Sequence, residues 1–95
     1  MSCSVSTHVL DTGAGRPAVG VKVELSGDNL TVAVVTDRDG RAQLADELKP
    51  GLYRLAFQPP SPFFRRVELE LELVEGHYHV PLLVSPYGCV SYRGS

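Results

Sequence analysis

Three histidines are the side chains of this sequence that best suit proton transfer near neutral pH. His8 lies close to the N-terminus, and His77 and His79 lie two positions apart late in the chain. The unperturbed pKa of histidine is close to neutrality, so an imidazole can take a proton from water and return it later. Residues two apart in a β-strand point to one face, which predicts that His77 and His79 lie side by side. General acid–base catalysis is therefore one hypothesis, although most strand histidines are surface or hydrogen-bonded core residues.

The same residue types leave a metal site and a purely structural interpretation open. His77 and His79 could bind zinc with His8 as the third ligand, although no acidic or cysteine partner lies at a diagnostic spacing. Arg41 follows an Asp-Gly dipeptide, which is typical of a turn that leads into a strand with a solvated guanidinium. Taken singly, none of these residues establishes a function.

Length and charge restrict the class of protein. The chain has 95 residues, of which 43% are hydrophobic and 21% are charged, and its formal net charge is -2. This length fills one hydrophobic core, so residues 1–95 are expected to form a single domain. Scattered Lys and Arg argue against a nucleic-acid partner, and no apolar run approaches the roughly 20 residues that span a membrane. A cytoplasmic location is expected, because residues 1–7 lack the apolar centre of a signal peptide.

The two cysteines, Cys3 and Cys89, lie near opposite ends of the chain and show no metal-binding or redox spacing. In a reducing compartment they are expected to be free thiols. We therefore expect that both can be replaced with little effect on the fold or on activity.

The elements that must position the histidines are β-strands, because the hydrophobic pattern has a period of two. Four apolar residues alternate with three glutamates over residues 67–73, which is typical of a strand with one solvated face. A loose helical turn is predicted over residues 44–49, and three prolines exclude the loop 58–62 from a sheet. Short strands separated by turn residues predict an all-β, two-sheet antiparallel β-sandwich. The predicted strands cover residues 5–10, 19–25, 30–36, 53–57, 67–73, 78–85 and 89–93.

Three ordered motifs carry a resemblance to a known family. They are THVLD at residues 7–11 with GRPA at 15–18, HYHVPLLVSPYG at 77–88, and YRGS at 92–95. Together they resemble the transthyretin family. The YRGS ending is similar to its 5-hydroxyisourate hydrolase branch and differs from the vertebrate hormone carriers. The likeness runs from residue 7 to residue 95, which is nearly the whole chain.

The resemblance implies an activity, a site and an assembly. Members of this branch hydrolyse the cyclic amide of 5-hydroxyisourate in uric acid degradation, giving 2-oxo-4-hydroxy-4-carboxy-5-ureidoimidazoline, and they need no cofactor. The matching catalytic positions are His8, Arg41 and His79, and the matching substrate-binding positions are Ser95 and Tyr92. Which histidine is the general base stays open. The family fold is a transthyretin-type sandwich that assembles as a homotetramer, a dimer of dimers with its sites at the dimer–dimer interface.

Two alternatives and one departure accompany the resemblance. A transthyretin-like protein that binds small ligands, or a structural β-sandwich module, would have this fold without catalysis.

The connection over residues 58–62 is shorter than in the family, which predicts the loss of a short surface helix and no helix between residues 57 and 63. His77 is expected to point elsewhere or to have a supporting part. An apolar face at Leu82, Val84 and Val90 favours a homotetramer, because a monomer this small could not cover it.

Overall fold

The computed structural model describes residues 2–27 and 29–94. All regular secondary structure in these ranges is β-strand. The predicted all-β class is confirmed, and so is the absence of a helix between residues 57 and 63. Within the same ranges, no helix has the length and apolar character needed to cross a membrane. The strands are β1 (Cys3–Asp11), β2 (Arg16–Pro17), β3 (Lys22–Gly27), β4 (Leu30–Val35), β5 (Arg41–Leu48), β6 (Gly51–Phe57), β7 (Val67–Leu73), β8 (Gly76–His79), β9 (Leu82–Ser85) and β10 (Gly88–Ser91).

Two sheets form the sandwich. One sheet is antiparallel and has the order β4-β3-β6-β7. The other is built around β1, which pairs antiparallel with β2 and β5 and parallel with β8 and β9. Antiparallel pairing therefore predominates, as predicted, and the parallel pairing of β1 with β8 and β9 is a feature that the prediction did not include. The long β1 has neighbours along both edges, so it is the element that organises the site.

The core lies between the sheets and sets which way β1 faces. Cys3, Val5, Thr7 and Val9 alternate inward and are all buried, whereas the residues between them are half-buried on the outer face. The Thr7 hydroxyl donates a hydrogen bond of 2.6 Å to the Val80 carbonyl, which satisfies this buried polar group. Each fully buried aliphatic side chain contributes about 1.5–3 kcal/mol, which holds β1 in this register.

Residues 44–48 lie in strand β5, and the helical turn predicted over residues 44–49 does not form. Leu44 and Leu48 are both buried in the core, and their spacing of four is compatible with a helix as well as with a strand. Register shifts interrupt the pairing of β1 with β5, and Glu47 has a positive φ of 56°. These irregularities break the period of two. The prediction was therefore wrong, because the pattern that would reveal a strand is missing there.

Residues 78–85, predicted as one strand, form parts of β8 and β9 with Val80 and Pro81 between them. Proline has no backbone N–H and cannot continue the ladder. The alternation then buries Leu82 and Val84 at 0% exposure, while Val90 pairs with Leu83 on the outer face and is 57% exposed. Leu82 and Val84 therefore belong to the core, and the expected exposed apolar face reduces to Val90.

The shortened 58–62 connection is anchored on the turn between β9 and β10. The Ser61 hydroxyl donates to the Pro86 carbonyl at 2.8 Å and accepts the backbone N–H groups of Phe63 and Phe64 at 3.0 Å. The Phe63 ring meets the Phe64 ring edge to face at 4.9 Å. The prolines therefore lie in an ordered loop.

Both cysteines have free thiols, and they differ in burial. Cys3 belongs to the hydrophobic core and is 2% exposed, whereas Cys89 is half-buried and packs against the edge of that core. The burial of Cys3 changes the expectation that both cysteines can be replaced with little effect. We expect Cys3→Ser to lower the free energy of unfolding by about 1–3 kcal/mol, because it places a hydroxyl in an apolar site. Cys89→Ser is the matched control and should cost less. Urea unfolding measures both, and a Cys3→Ser protein with the parent's midpoint would contradict the expectation.

Candidate active site

The outer face of β8, β1 and β5 brings the candidate catalytic residues together. Ser6 of β1 lies opposite His79 of β8, and His8 of β1 lies opposite Arg41 of β5. Ser6 and His8 are two apart and share a face. Directly opposed residues on neighbouring strands have Cβ atoms about 4.5–5.5 Å apart. The pairing register therefore places His8, Arg41 and His79 on one surface of the sheet.

A tight turn before β5 fixes the backbone position of Arg41, the first residue of that strand. One carboxylate oxygen of Asp37 accepts the backbone N–H groups of Asp39 at 2.8 Å and Arg41 at 3.0 Å. These hydrogen bonds, that of Arg41 first, lower the pKa of Asp37. Gly40 has φ 75°, and a Cβ there would lie 2.5 Å from the Val9 carbonyl oxygen. Glycine is required at that position, so the Asp-Gly-Arg sequence is a structural device as well as a motif.

The hydrogen bonding of His8 determines which of its nitrogens can act as a base. Its Nε2 lies 2.8 Å from the Asp39 carbonyl oxygen. A carbonyl only accepts hydrogen bonds, so Nε2–H is the donor and carries the proton. In the neutral ring, Nδ1 is then unprotonated. His8 can therefore take a proton only through Nδ1 while this bond is kept.

His79 is held by its side chain and by its backbone. Its Nδ1 lies 2.9 Å from the Ser6 hydroxyl, and its carbonyl accepts the N–H of Gly94 at 2.7 Å. Desolvation lowers the pKa of His79, and electrostatic repulsion of its protonated form by His8, Arg41 and His77 lowers it further. The ring is therefore biased toward its neutral form, which is the form that accepts a proton.

His77 lies in the same cavity as His79. Its Nδ1 is 2.6 Å from the Ser4 hydroxyl, and its Nε2 is 2.8 Å from the Ser6 hydroxyl. The expectation that His77 points elsewhere is wrong, because the shared face of β8 directs both rings toward β1. A supporting part for His77 stays a prediction. Sequence reasoning did not identify Ser4 and Ser6, although they lie four and two residues before His8 and so share its face in a strand.

The site is an open cavity of about 560 Å³, with Arg41, His77 and His79 among the residues in its wall. His8 flanks it through its pairing with Arg41. Tyr92 lines a separate cleft of about 680 Å³ between β7 and the C-terminal segment and is not among the residues that line the cavity of His77 and His79. Ser95 lies outside the described residues. The substrate-binding roles of both residues stay predictions.

The zinc alternative has no geometric support in residues 2–27 and 29–94. No group of three or more His, Cys, Asp or Glu side chains in these ranges is arranged to hold a metal ion. His77 uses both of its ring nitrogens in hydrogen bonds to serines, and His8 donates from Nε2 to a carbonyl. The three histidines are thus engaged in different ways and do not converge on one point.

Solved structures with the same fold include an enzyme and a hormone complex. The 5-hydroxyisourate hydrolase of Klebsiella pneumoniae superposes with a TM-score of 0.88 at 36% identity, with both chains covered completely. Sea bream transthyretin in complex with thyroxine superposes with a TM-score of 0.81 at 26% identity, covering 95% of this chain and 93% of that one. The transthyretin-type sandwich is therefore confirmed.

Curated sequences agree. The 5-hydroxyisourate hydrolase of Halalkalibacterium halodurans is 41% identical over 119 aligned positions that cover both chains completely. The hydrolase of Caulobacter vibrioides is 38% identical, covering 96% of this chain and 97% of its own. Because this chain has only 95 residues, many of the 119 positions are gaps in it, as expected for a shortened member. The model of the HIUase/Transthyretin family matches residues 5–94, and the chain belongs to that family.

Proposed function

We propose that this protein is a 5-hydroxyisourate hydrolase that opens the cyclic amide of its substrate. The observation that carries the proposal is the pairing of β8, β1 and β5: His79 and Arg41 lie in the wall of one open cavity, and His8 is the strand partner of Arg41. Relatives that align over nearly their full length at about 40% identity are named 5-hydroxyisourate hydrolases. The product is 2-oxo-4-hydroxy-4-carboxy-5-ureidoimidazoline.

The reaction needs a base for water, a charge for the oxyanion and an acid for the leaving nitrogen. A neutral His79 suits the base, and His8 can share proton transfer through its unprotonated Nδ1. The Arg41 guanidinium is planar and always charged, so it can hold a ring carbonyl and stabilise the oxyanion that forms on it. The same charge disfavours protonation of His79 before the reaction begins. These groups need no cofactor for the hydrolysis.

A homotetramer is part of the proposal, with each site completed where two dimers meet. The cavity is open on one chain, and Tyr87, Val90 and Tyr92 expose large apolar surfaces that a neighbouring chain can cover. Contact with a second chain would also offer a route for Tyr92 and Ser95 to reach the substrate. Light scattering at micromolar concentration should report four chains, and a monomer would contradict the assembly. A cytoplasmic location fits the two free thiols.

The test of the activity is the ultraviolet decay of freshly made 5-hydroxyisourate with and without the protein. We expect a decay that is faster than the spontaneous hydrolysis and proportional to protein concentration. The control is heat-denatured protein under the same conditions. If the protein binds the substrate without accelerating its decay, the result would instead support the ligand-binding alternative. That alternative is motivated by the fold shared with a transthyretin solved in complex with thyroxine.

A further inference from the structure

A continuous row of hydrogen bonds joins His79 to the exposed end of β8. It runs from the Ser4 hydroxyl to His77 Nδ1 at 2.6 Å, from His77 Nε2 to the Ser6 hydroxyl at 2.8 Å, and from Ser6 to His79 Nδ1 at 2.9 Å. We refer to these four side chains as the relay. Parallel pairing of β1 with β8 aligns Ser4 with His77 and Ser6 with His79, so the strand register creates the relay.

Counting protons shows that the relay has two states. A serine hydroxyl has one proton and a neutral imidazole has one N–H, so Ser6 can donate to only one of its two histidine partners. If Ser6 donates to His79 Nδ1, it accepts from His77 Nε2–H, and the His79 proton lies on Nε2. If Ser6 donates to His77 Nε2, it accepts from His79 Nδ1–H, and His79 Nε2 is unprotonated. The direction of the relay therefore determines whether His79 Nε2 is an acid or a base.

We propose that Ser6 and His77 act on the reaction through His79, by moving a proton away from it when it accepts one from water. The inference rests on the proposed hydrolase function. As the water oxygen bonds to the substrate carbonyl carbon, the water proton passes to His79 Nε2. The Nδ1 proton passes to the Ser6 oxygen, and the Ser6 proton passes to His77 Nε2. His79 and Ser6 finish neutral and His77 finishes as an imidazolium. The reverse transfer later returns a proton to the leaving nitrogen.

The charges around the site favour this transfer. His79 is half-buried and is surrounded by His8 on β1, Arg41 on β5 and His77 on its own strand, while the Asp37 carboxylate lies in the wall of the same cavity. A positive charge on a half-buried ring close to a guanidinium is costly. His77 lies in the wall of the open cavity, so water in that cavity can solvate its imidazolium. The C-terminal segment contributes one cation near His77, Arg93. Its guanidinium lies 3.5 Å from the His77 carbonyl oxygen and 4.1 Å from the centre of the Tyr78 ring, so it contacts the backbone of His77 and the neighbouring ring.

The experiment uses Ser6→Ala, which removes the middle of the relay, and Ser6→Thr, which keeps the hydroxyl. We expect Ser6→Ala to lower kcat about 10-fold with little change in KM, the factor that corresponds to losing one hydrogen bond in the transition state. Ser6→Thr should retain most of the activity. Ser26→Ala is the matched control on the other sheet, and it should have the parent's kcat.

Two further readouts separate a relay from a structural role. The solvent isotope effect in mixtures of H2O and D2O should curve with deuterium fraction in the parent, because several protons move, and become linear in Ser6→Ala. His77→Gln, a change at an exposed side chain, should lower kcat by a similar factor even where Ser6→Ala folds poorly. The Ser6→Ala, His77→Gln double variant should be no slower than either single variant, since both break the same relay.

The outcomes distinguish the relay from the activity. Parent-like kcat in both single variants, losses that multiply in the double variant, or a curved isotope plot in Ser6→Ala would overturn the relay while leaving the hydrolase proposal intact. A parent protein that does not accelerate the decay of 5-hydroxyisourate would overturn the hydrolase proposal and the relay with it.

Discussion

Replacing His79 with Asn is expected to lower kcat/KM for 5-hydroxyisourate by roughly 100-fold or more, the usual contribution of a general acid–base group. Asparagine can keep a hydrogen bond to Ser6 but cannot take a proton from water. His8→Asn should show a loss of similar size if Nδ1 of His8 shares the proton transfer. His77→Asn or His77→Gln should be milder, because that ring acts through His79.

The pH dependence of the parent protein provides a second measurement on the same residue. The pKa of His79 is lowered from its ordinary value of 6.5, mainly by desolvation. A base is active when it is unprotonated, so kcat/KM should keep more than half of its plateau value at pH 6.5 and should reach half only at a more acidic pH. A profile that already loses half of its activity above pH 6.5 would contradict His79 as the base. Full activity in His79→Asn would leave the enzyme in place and remove our assignment of its residues.

Arg41→Lys is expected to lower kcat/KM by roughly 100-fold, in the range seen when one oxyanion donor is removed. Lysine keeps the positive charge but replaces a planar fork of donors with a single ammonium group. The backbone N–H of residue 41 would still bond to Asp37, so the turn and the start of β5 should be preserved. The effect should therefore fall on activity and not on the unfolding temperature.

Arg38→Lys is the matched control for Arg41→Lys, because Arg38 is an exposed arginine in the same turn. It should have the activity of the parent protein. Equal losses in the two variants would show that the turn tolerates no lysine, and an Arg41→Lys protein with full activity would show that charge alone is sufficient at this position.

Much of the fold could be predicted because strands that bury one face have a period of two. That pattern located β1, β4, β6 and β7 to within two residues at each end. The same period puts Ser6 on the face of His8 within the predicted strand 5–10, whereas Ser4 lies before the predicted start of that strand. The pattern failed at β5, where register shifts and the positive φ of Glu47 interrupt it. Local alternation reports burial only where the strand is regular.

The sequence by itself determined the β-class of this protein, the motif residues and the turn before Arg41. Only the tertiary structure decided which residues are neighbours, because the period of two says which face a side chain occupies but not which strand lies beside it. Pairing of β1 with β8 and β5 brings together residues up to 73 positions apart. Because of that pairing, His77 lies in the wall of the site cavity and the Ser6 hydroxyl contacts two histidines. Tyr92 lines another cleft. Long-range register is set by how the buried faces pack, and no local pattern encodes it.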